Sequence, residues 1–144
     1  EKMIEVVNYT APQLPEDKVR YLMGVGKPND IIEAVYRGVD IFDCVIPTRE
    51  GRHGIAYIGS SSINLKNSKF ESDLTPLDEG SDYFVSKKYS KSYLNHLLKI
   101  KDPLGPMLIS LHNLNYYFNL MTDLGVSIEE GRLDSFREDF YKDN

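Results

Sequence analysis

The sequence predicts an α/β fold, and three observations lead to that prediction. Two short apolar segments, residues 20–26 and 40–46, flank a segment with helical periodicity at residues 28–38. Near-continuous apolar strands on either side of one helix are typical of a βαβ unit with a parallel sheet. Residues 54–70 then alternate around a Gly-Ser-Ser-Ser turn, as a hairpin does, and helical spacing dominates the rest.

The helix between the two predicted strands has chemically defined ends. Pro28 is expected in its first turn because proline needs no amide hydrogen there, and Asn29 or Asp30 can cap it. Gly38 should end it. The residues of its apolar stripe are Ile31, Ile32 and Val35.

Three further helices are predicted after the hairpin, at residues 89–101, 106–121 and 128–141. Apolar residues recur at three- and four-residue intervals, which places them on one face of each helix. The positions that define the first and the last of these helices are Tyr93, Leu94, Leu97 and Leu98, and Ile128, Leu133, Phe136 and Phe140.

Asp43 lies in the middle of the second apolar segment and is the strongest candidate for a functional residue. Alternation along a strand puts it on one face with Ile41 and Val45. Burying a carboxylate among such neighbours costs several kcal/mol unless the group is paired or used. Two interpretations follow, a functional site or a structural ion pair with Arg37, Arg49 or Arg52.

Composition limits the classes of function. The chain has 144 residues, 41% of them hydrophobic, and a formal net charge of -5, so any contact with nucleic acid must be local. A single cysteine, Cys44, excludes an internal disulfide and fits a reducing compartment. With no long apolar run and no signal peptide at its start, the chain is expected to be cytoplasmic and away from membranes.

Several motifs resemble one enzyme family. They are YLMGVGKP at 21–28, FDCVIPTR at 42–49, PLD at 76–78, YSKSYLNHLL at 89–98 and LISLHNLNYYFNLM at 108–121. In this order they resemble the tRNA-guanine transglycosylases, the queuine tRNA-ribosyltransferase family, and most closely its bacterial form. The resemblance runs from Leu14 to the C-terminus and covers the C-terminal portion of such an enzyme.

The resemblance implies a fragment of a (β/α)8 barrel, a fold that takes roughly 200 residues or more. Residues 1–53 would supply the last two strands of the barrel, with the nucleophile and the RNA-contact loops. Residues 54–112 would form the inserted hairpin and a degenerate zinc-binding subdomain, and residues 113–144 the C-terminal helices.

The resemblance also implies the chemistry. Asp43 would be the nucleophile that attacks the ribose at the tRNA wobble position, releases guanine and leaves a covalent intermediate, which a 7-deazaguanine base then resolves. A second aspartate, from the N-terminal part of the family's enzymes, moves the proton and has no counterpart here. The 144-residue chain alone is therefore expected to be inactive.

Two residues on the first strand would serve the bound base. Met23 matches a methionine that packs on the face of the base. The alternative interpretation is that Met23 is a residue of the hydrophobic core. Tyr21 would hold Asp43 by a hydrogen bond. The alternative interpretation is that Tyr21 is buried and hydrogen-bonded to the backbone.

Two segments would contact RNA. The first is a glycine-rich loop before a helix N-terminus, and its alternative is a tight turn. The second would be an arginine-bearing loop that recognises the wobble base, and its alternative is a solvated charged loop. The residues are Gly24, Val25, Gly26, Lys27, Pro28, Asn29 and Asp30 in the first segment, and Thr48, Arg49, Glu50, Gly51 and Arg52 in the second.

The family's zinc site is degenerate in this sequence. The family holds the ion with a C-x-C-x-x-C cluster and a histidine, but the aligned residues here are Ser81, Tyr83, Ser86 and His112. No cofactor is expected, because serine and tyrosine are poor zinc ligands. His112 should instead bond a backbone group in the helical subdomain, and either Tyr83, Phe84 and Val85 pack in place of the metal or this subdomain is loose.

The implied partners are the tRNA anticodon loop, a 7-deazaguanine base, and a second copy of the chain or the missing N-terminal portion. The alternative function is a non-catalytic fragment or split-gene remnant that binds RNA or a subunit. The lost metal ligands favour this alternative, whereas Asp43, Met23 and the segment TREGR favour the enzyme.

Overall fold

The computed structural model describes residues 2–142, which divide into two compact units. The first unit comprises the residues up to 45 and those from 120 onward, and the second comprises residues 46–119. Helices and strands both occur, as the α/β prediction requires.

The first unit contains the predicted βαβ arrangement. Its elements are α1 (Lys2–Thr10), β1 (Tyr21–Leu22), α2 (Pro28–Val35), β2 (Ile41–Phe42) and α7 (Leu133–Lys142), with the C-terminal part of α6 (Leu104–Glu129). β1 and β2 pair in parallel, with Tyr21 opposite Ile41 and Leu22 opposite Phe42. The strands are shorter than the predicted residues 20–26 and 40–46, and among the residues described each pairs only with the other.

The ends of α2 follow from its terminal residues. Pro28 takes the first helical position, as predicted, but the N-cap is Lys27, so the predicted capping by Asn29 or Asp30 is wrong. After the last turn, Gly38 adopts a φ of 87°, which glycine tolerates better than any other residue.

One face of the β1–β2 pair is covered and the other is exposed. Leu22 and Phe42 pack against a small core from α1, α2 and the segment after α2, whose buried members are Val7, Ala11, Ala34 and Val39. The opposite face exposes Tyr21, Met23, Ile41 and Val45. The pair of strands therefore exposes an apolar face in this chain, and α1 was not predicted.

The second unit is built on the predicted hairpin. Its elements are α3 (Ile46–His53), β3 (Ile55–Ile58), β4 (Ser61–Asn64), α4 (Phe84–Lys88), α5 (Lys91–Lys99) and the first part of α6. β3 and β4 are antiparallel, and the turn is only Gly59 and Ser60, because Ser61 and Ser62 already belong to β4. The core of the unit is Ala56, Leu65, Phe70, Leu77, Val85, Leu94, Leu97, Leu108 and Ile109.

Two predicted boundaries among the C-terminal helices are wrong. Residues 104–129 form one continuous helix, in which Leu120, Leu124 and Ser127 are buried at helical spacing. The break comes later, where Gly131 adopts a φ of 66° before α7. In residues 2–142, none of the helices combines the length and the hydrophobicity that a membrane span requires.

The segment TREGR is helical, so the prediction of a loop at residues 48–52 is wrong. Pro47 lies in the first turn of α3, where proline is tolerated, and Gly51 lies on its buried side. A single buried glycine in an otherwise charged stretch gives no apolar periodicity, which explains why the pattern of the sequence predicted a loop.

Candidate active site and nucleic-acid interface

Asp43 directly follows β2 and is held by two donors from the neighbouring strand and loop. Its Oδ1 accepts hydrogen bonds from the Tyr21 hydroxyl at 2.7 Å and from the Gly24 amide at 3.0 Å. The predicted contact between Tyr21 and Asp43 is confirmed. Both side chains are exposed, so the expected burial of Asp43 and the buried alternative for Tyr21 are wrong.

These bonds favour the ionised carboxylate. The Tyr21 hydroxyl, and after it the Gly24 amide, lower the pKa of Asp43 below its usual value, against a smaller opposing effect of burial. The same hydrogen bond raises the pKa of Tyr21. At neutral pH the pair is therefore a carboxylate and a neutral phenol, and Asp43 carries a full negative charge in a water-accessible position.

Arg37 is not the counter-ion of Asp43. Its guanidinium Nη1 lies 2.6 Å from Oε2 of Glu33, one turn earlier on α2. The structural interpretation in which Asp43 pairs with Arg37 is therefore wrong.

The glycine-rich segment places one backbone donor at Asp43. Gly24 has a φ of 71°, a left-handed conformation in which its amide points to the carboxylate. Gly26 and Pro28 are buried, Val25 and Asp30 are half-buried, and Lys27 and Asn29 are exposed. Thus the segment offers a positive side chain and polar groups to solvent beside the N-terminus of α2.

Met23 is 72% exposed, so the alternative of a core methionine is wrong. By alternation it shares a face with Tyr21 on one strand and with Ile41 and Asp43 on the other. The carboxylate therefore lies on an open surface that is otherwise apolar or aromatic, and such a surface suits a planar base.

The second predicted RNA segment forms part of α3. Arg49 and Arg52 are exposed and lie three residues apart, so they occupy the same side of the helix, which we call the arginine face. The ring Nδ1 of His53 lies 2.7 Å from the carbonyl oxygen of Arg49. Gly51 is buried on the opposite side, and Thr48 and Glu50 are half-buried. The segment thus presents two guanidinium groups in a fixed helical spacing.

One polar residue of the second unit was missed from the sequence. Asn113 on α6 is fully buried, and its amide donates to the carbonyl oxygens of Pro47 and Ile55, both at 2.9 Å, and accepts from the Tyr57 amide at 3.0 Å. The signal was present as a His-Asn pair inside an apolar helix. A polar side chain buried in an apolar helix needs hydrogen-bond partners, but the sequence does not show which groups these are.

Ser86 and His112, two of the residues aligned with the family's zinc ligands, are hydrogen-bonded to each other. His112 Nε2 lies 2.7 Å from the carbonyl oxygen of Tyr57, and Nδ1 lies 2.8 Å from Oγ of Ser86. A carbonyl only accepts, so Nε2 carries the proton and Nδ1 accepts from Ser86. The predicted bond of His112 to a backbone group is confirmed, but the partner lies in strand β3 and not among the helices. The hydroxyl of Ser81 accepts from the Tyr83 amide, and these hydroxyl groups do not fit a zinc ion.

The apolar residues around this position only partly behave as predicted. Val85 is fully buried and Tyr83 packs against the core of the second unit, whereas Phe84 is 57% exposed.

Burial lowers the pKa of His112, so the neutral ring is favoured.

Comparison with known proteins agrees with the motifs. Residues 1–144 match the family model described as Queuine tRNA-ribosyltransferase. The chain is 49% identical over 140 residues to the queuine tRNA-ribosyltransferase of Francisella tularensis subsp. tularensis (strain WY96-3418), and 54% identical over 138 residues to that of Caulobacter vibrioides (strain ATCC 19089 / CIP 103742 / CB 15).

These alignments cover nearly all of this chain and a minor part of the relatives. They take in 97% and 96% of the chain, but only 38% and 37% of the length of the two relatives. Both β1 and β2, and both segments predicted to contact RNA, lie within the part that matches the family model.

Proposed function

The chain belongs to the queuine tRNA-ribosyltransferase family, and on that premise we propose that it forms part of a tRNA-guanine transglycosylase. This enzyme would exchange guanine at the wobble position of tRNA for a 7-deazaguanine base. The observation that carries the proposal is Asp43, an exposed carboxylate held by Tyr21 and Gly24 on an open apolar surface.

In the proposed first step, Asp43 attacks C1′ of the ribose. The bond from C1′ to guanine breaks, its electron pair leaves with the base, and the base takes up a proton from an acid group elsewhere in the enzyme. Both hydrogen bonds fall on Oδ1, so we assign the attack to Oδ2. In the second step, the same acid group, now deprotonated, takes the proton from the ring nitrogen of the incoming base; this nitrogen attacks C1′, and the carboxylate leaves with the electrons of its ester bond.

The neighbours of Asp43 have distinct roles in this proposal. Tyr21 and Gly24 keep the carboxylate ionised and fix its orientation, which matters because a nucleophile must meet C1′ within a narrow geometry. Met23 offers a polarizable sulfur to the face of the base.

RNA contact is proposed for the segment Gly24–Asp30 and for the arginine face of α3. Arg49 and Arg52 are exposed in a chain with a net charge of -5, so they would supply a local attraction for phosphates rather than a general one. Lys27 would add a charge near the N-terminus of α2.

We also propose that β1 and β2 are neighbouring strands of a (β/α)8 barrel. The support is their parallel pairing across α2 and the exposed face of Tyr21, Met23, Ile41 and Val45, which a closed barrel would turn inward. Asp43 then lies at the carboxyl end of its strand, where barrel enzymes keep their active sites.

The test of the proposed function is covalent capture of tRNA by the natural protein that carries this sequence. Asp43→Asn should abolish both a protein–tRNA adduct on a denaturing gel and the incorporation of labelled guanine, because an amide is a far weaker nucleophile. Asp123→Asn, which changes an exposed carboxylate on α6, is the matched control and should keep both signals. An adduct in the Asp43 variant would place the nucleophile elsewhere, and an RNA-binding module without catalysis would give no adduct in any variant.

The loss of zinc is a separate proposal, supported by the Ser86–His112 hydrogen bond. We expect elemental analysis to find no stoichiometric zinc in the purified protein, and to find one zinc per chain after Ser81→Cys, Tyr83→Cys and Ser86→Cys are combined. One zinc per chain without these changes would contradict the proposal.

A further inference from the structure

The helix that carries the arginine face lies unusually close to α6. Gly51 is buried, and a Cβ atom added to it would lie 2.8 Å from both the amide nitrogen and the Cα of Ser110. These are backbone atoms, which cannot rotate away. Since ordinary contacts begin at 3.4 Å, a methyl group would separate the two backbones by about 0.6 Å.

Asn113 joins the same helix to the hairpin. Its Nδ2 donates to Pro47 in the first turn of α3 and to Ile55 in β3, and its Oδ1 accepts from the Tyr57 amide. In an antiparallel pair, alternate residues turn their amide and carbonyl groups away from the partner strand. Ile55 and Tyr57 are such residues, because the hydrogen bonds to β4 are made by Gly54 and by every second residue after it. Asn113 therefore caps the outer edge of β3 and fixes the start of α3 with one amide.

The two contacts act on the opposite side of α3 from the arginines. At 100° per residue, Pro47 and Gly51 fall within one narrow sector, and Arg49 and Arg52 lie roughly across the helix from it. A shift of the helix on its buried side would therefore move both guanidinium groups together.

We propose that Gly51 and Asn113 are positioning residues for the arginine face and that they set the position and angle at which Arg49 and Arg52 meet RNA phosphates. This inference rests on the proposed function, because it assumes that the arginine face contacts tRNA. Neither residue needs to touch RNA: Asn113 is fully buried, and Gly51 has no side chain.

The experiment measures the affinity for an unmodified tRNA transcript, and its dependence on salt, in the natural protein. Arg49→Ala with Arg52→Ala should flatten the log–log salt slope by about 1.4, at about 0.7 per phosphate contact for single strands. Gly51→Ala should flatten it by about 0.7 or more and weaken binding about tenfold at low salt, although both arginines remain. The control is Gly125→Ala on α6, where a methyl group meets nothing within 4 Å; it should change neither quantity.

A second variant, Asn113→Asp, keeps the acceptor for Tyr57 but removes both donors. It should flatten the slope in the same way while circular dichroism shows a folded protein. An unchanged slope in the double arginine variant would overturn the proposed RNA contact itself. A flattened slope there, with a normal slope in Gly51→Ala and Asn113→Asp, would overturn only the positioning role. If both Gly51→Ala and Asn113→Asp unfold the protein, the two residues serve stability, and the positioning role is overturned.

Discussion

At the scale of single residues, the chemistry of Asp43 depends on which groups donate hydrogen bonds to it. A hydroxyl and a backbone amide converge on one oxygen, and within the described part of the first unit no positive side chain forms a salt bridge with Asp43. Neutral donors lower the pKa while leaving the charge uncompensated. Such a carboxylate remains available to attack a centre that becomes positive in the transition state.

Tyr21→Phe should therefore raise the pKa of Asp43 toward its ordinary value, because the hydroxyl makes the largest contribution to the lowered pKa. The pKa can be followed by NMR titration of the Asp43 carboxyl carbon, with Tyr9→Phe, an exposed tyrosine of α1, as the control. Since only the ionised form attacks, base exchange in the variant should be lost at a higher pH than in the unchanged protein as the solution is acidified. Identical titration curves for the two proteins would contradict this assignment.

At the scale of elements, α7 is attached to α2 mainly by charge. None of its residues is fully buried, yet Arg137 reaches Glu33 with Nε at 2.6 Å and Nη2 at 3.2 Å, and Tyr141 donates to the same carboxylate at 3.2 Å. Arg37, which follows the end of α2, adds a third partner. Burial raises the pKa of Glu33, but these hydrogen bonds outweigh it, and the pKa is lowered overall.

Glu33→Gln should destabilise the protein by about 2 kcal/mol, since hydrogen bonds to charged groups contribute about 1.5–3 kcal/mol and two arginines lose their partner. Urea unfolding measures this, and Glu138→Gln, an exposed change on α7, should stay within about 0.5 kcal/mol. A carboxylate with a lowered pKa stabilises the fold above its unfolded pKa. The difference in free energy of unfolding between Glu33→Gln and the unchanged protein should therefore persist at pH 7, begin to shrink below pH 4.5, and be lost as the pH falls through the lower pKa of Glu33 in the folded protein. A difference that does not depend on pH would mean that packing, rather than charge, attaches α7.

At the scale of the whole molecule, the chain exposes an apolar sheet face that small soluble proteins normally cover. Met23 is 72% exposed, Val45 60% and Ile41 49%; Ile41 lies in β2, and the other two closely follow the strands of the parallel pair. Faces and edges of this kind invite pairing with another chain or segment. The negative net charge opposes association only weakly at physiological salt, because the charges are screened within about 8 Å.

The 144-residue chain should consequently associate at micromolar concentration. Light scattering should give a mass above that of a monomer, and Ile41→Lys combined with Val45→Lys should lower it, because charges on this face oppose its burial. Leu74→Lys with Ile100→Lys changes two exposed apolar residues of the second unit and should leave the mass unchanged. A compact monomer before any substitution would show that the exposed face does not drive association.

The sequence by itself determined the features that depend on neighbours along the chain. Pro28 and Gly38 mark the ends of α2 through their own backbone preferences, and alternation places Asp43 on the same face as Ile41 and Val45. The motifs also led to the family that the comparisons support. The contact between Tyr21 and Asp43 was one of two interpretations of Tyr21, and the parallel pairing of β1 with β2 allows it.

Only the tertiary structure decided the features that depend on distant partners. The segment TREGR forms a helix because α6 and the hairpin hold it through Asn113, whose bonds span 56–66 residues of sequence, and through the close approach at Gly51. Similarly, Asp43 is exposed because the elements that pack on β1 and β2 cover the opposite face. Local patterns report what a residue prefers, whereas burial and long-range hydrogen bonds depend on which surfaces meet, and that is decided by the fold as a whole.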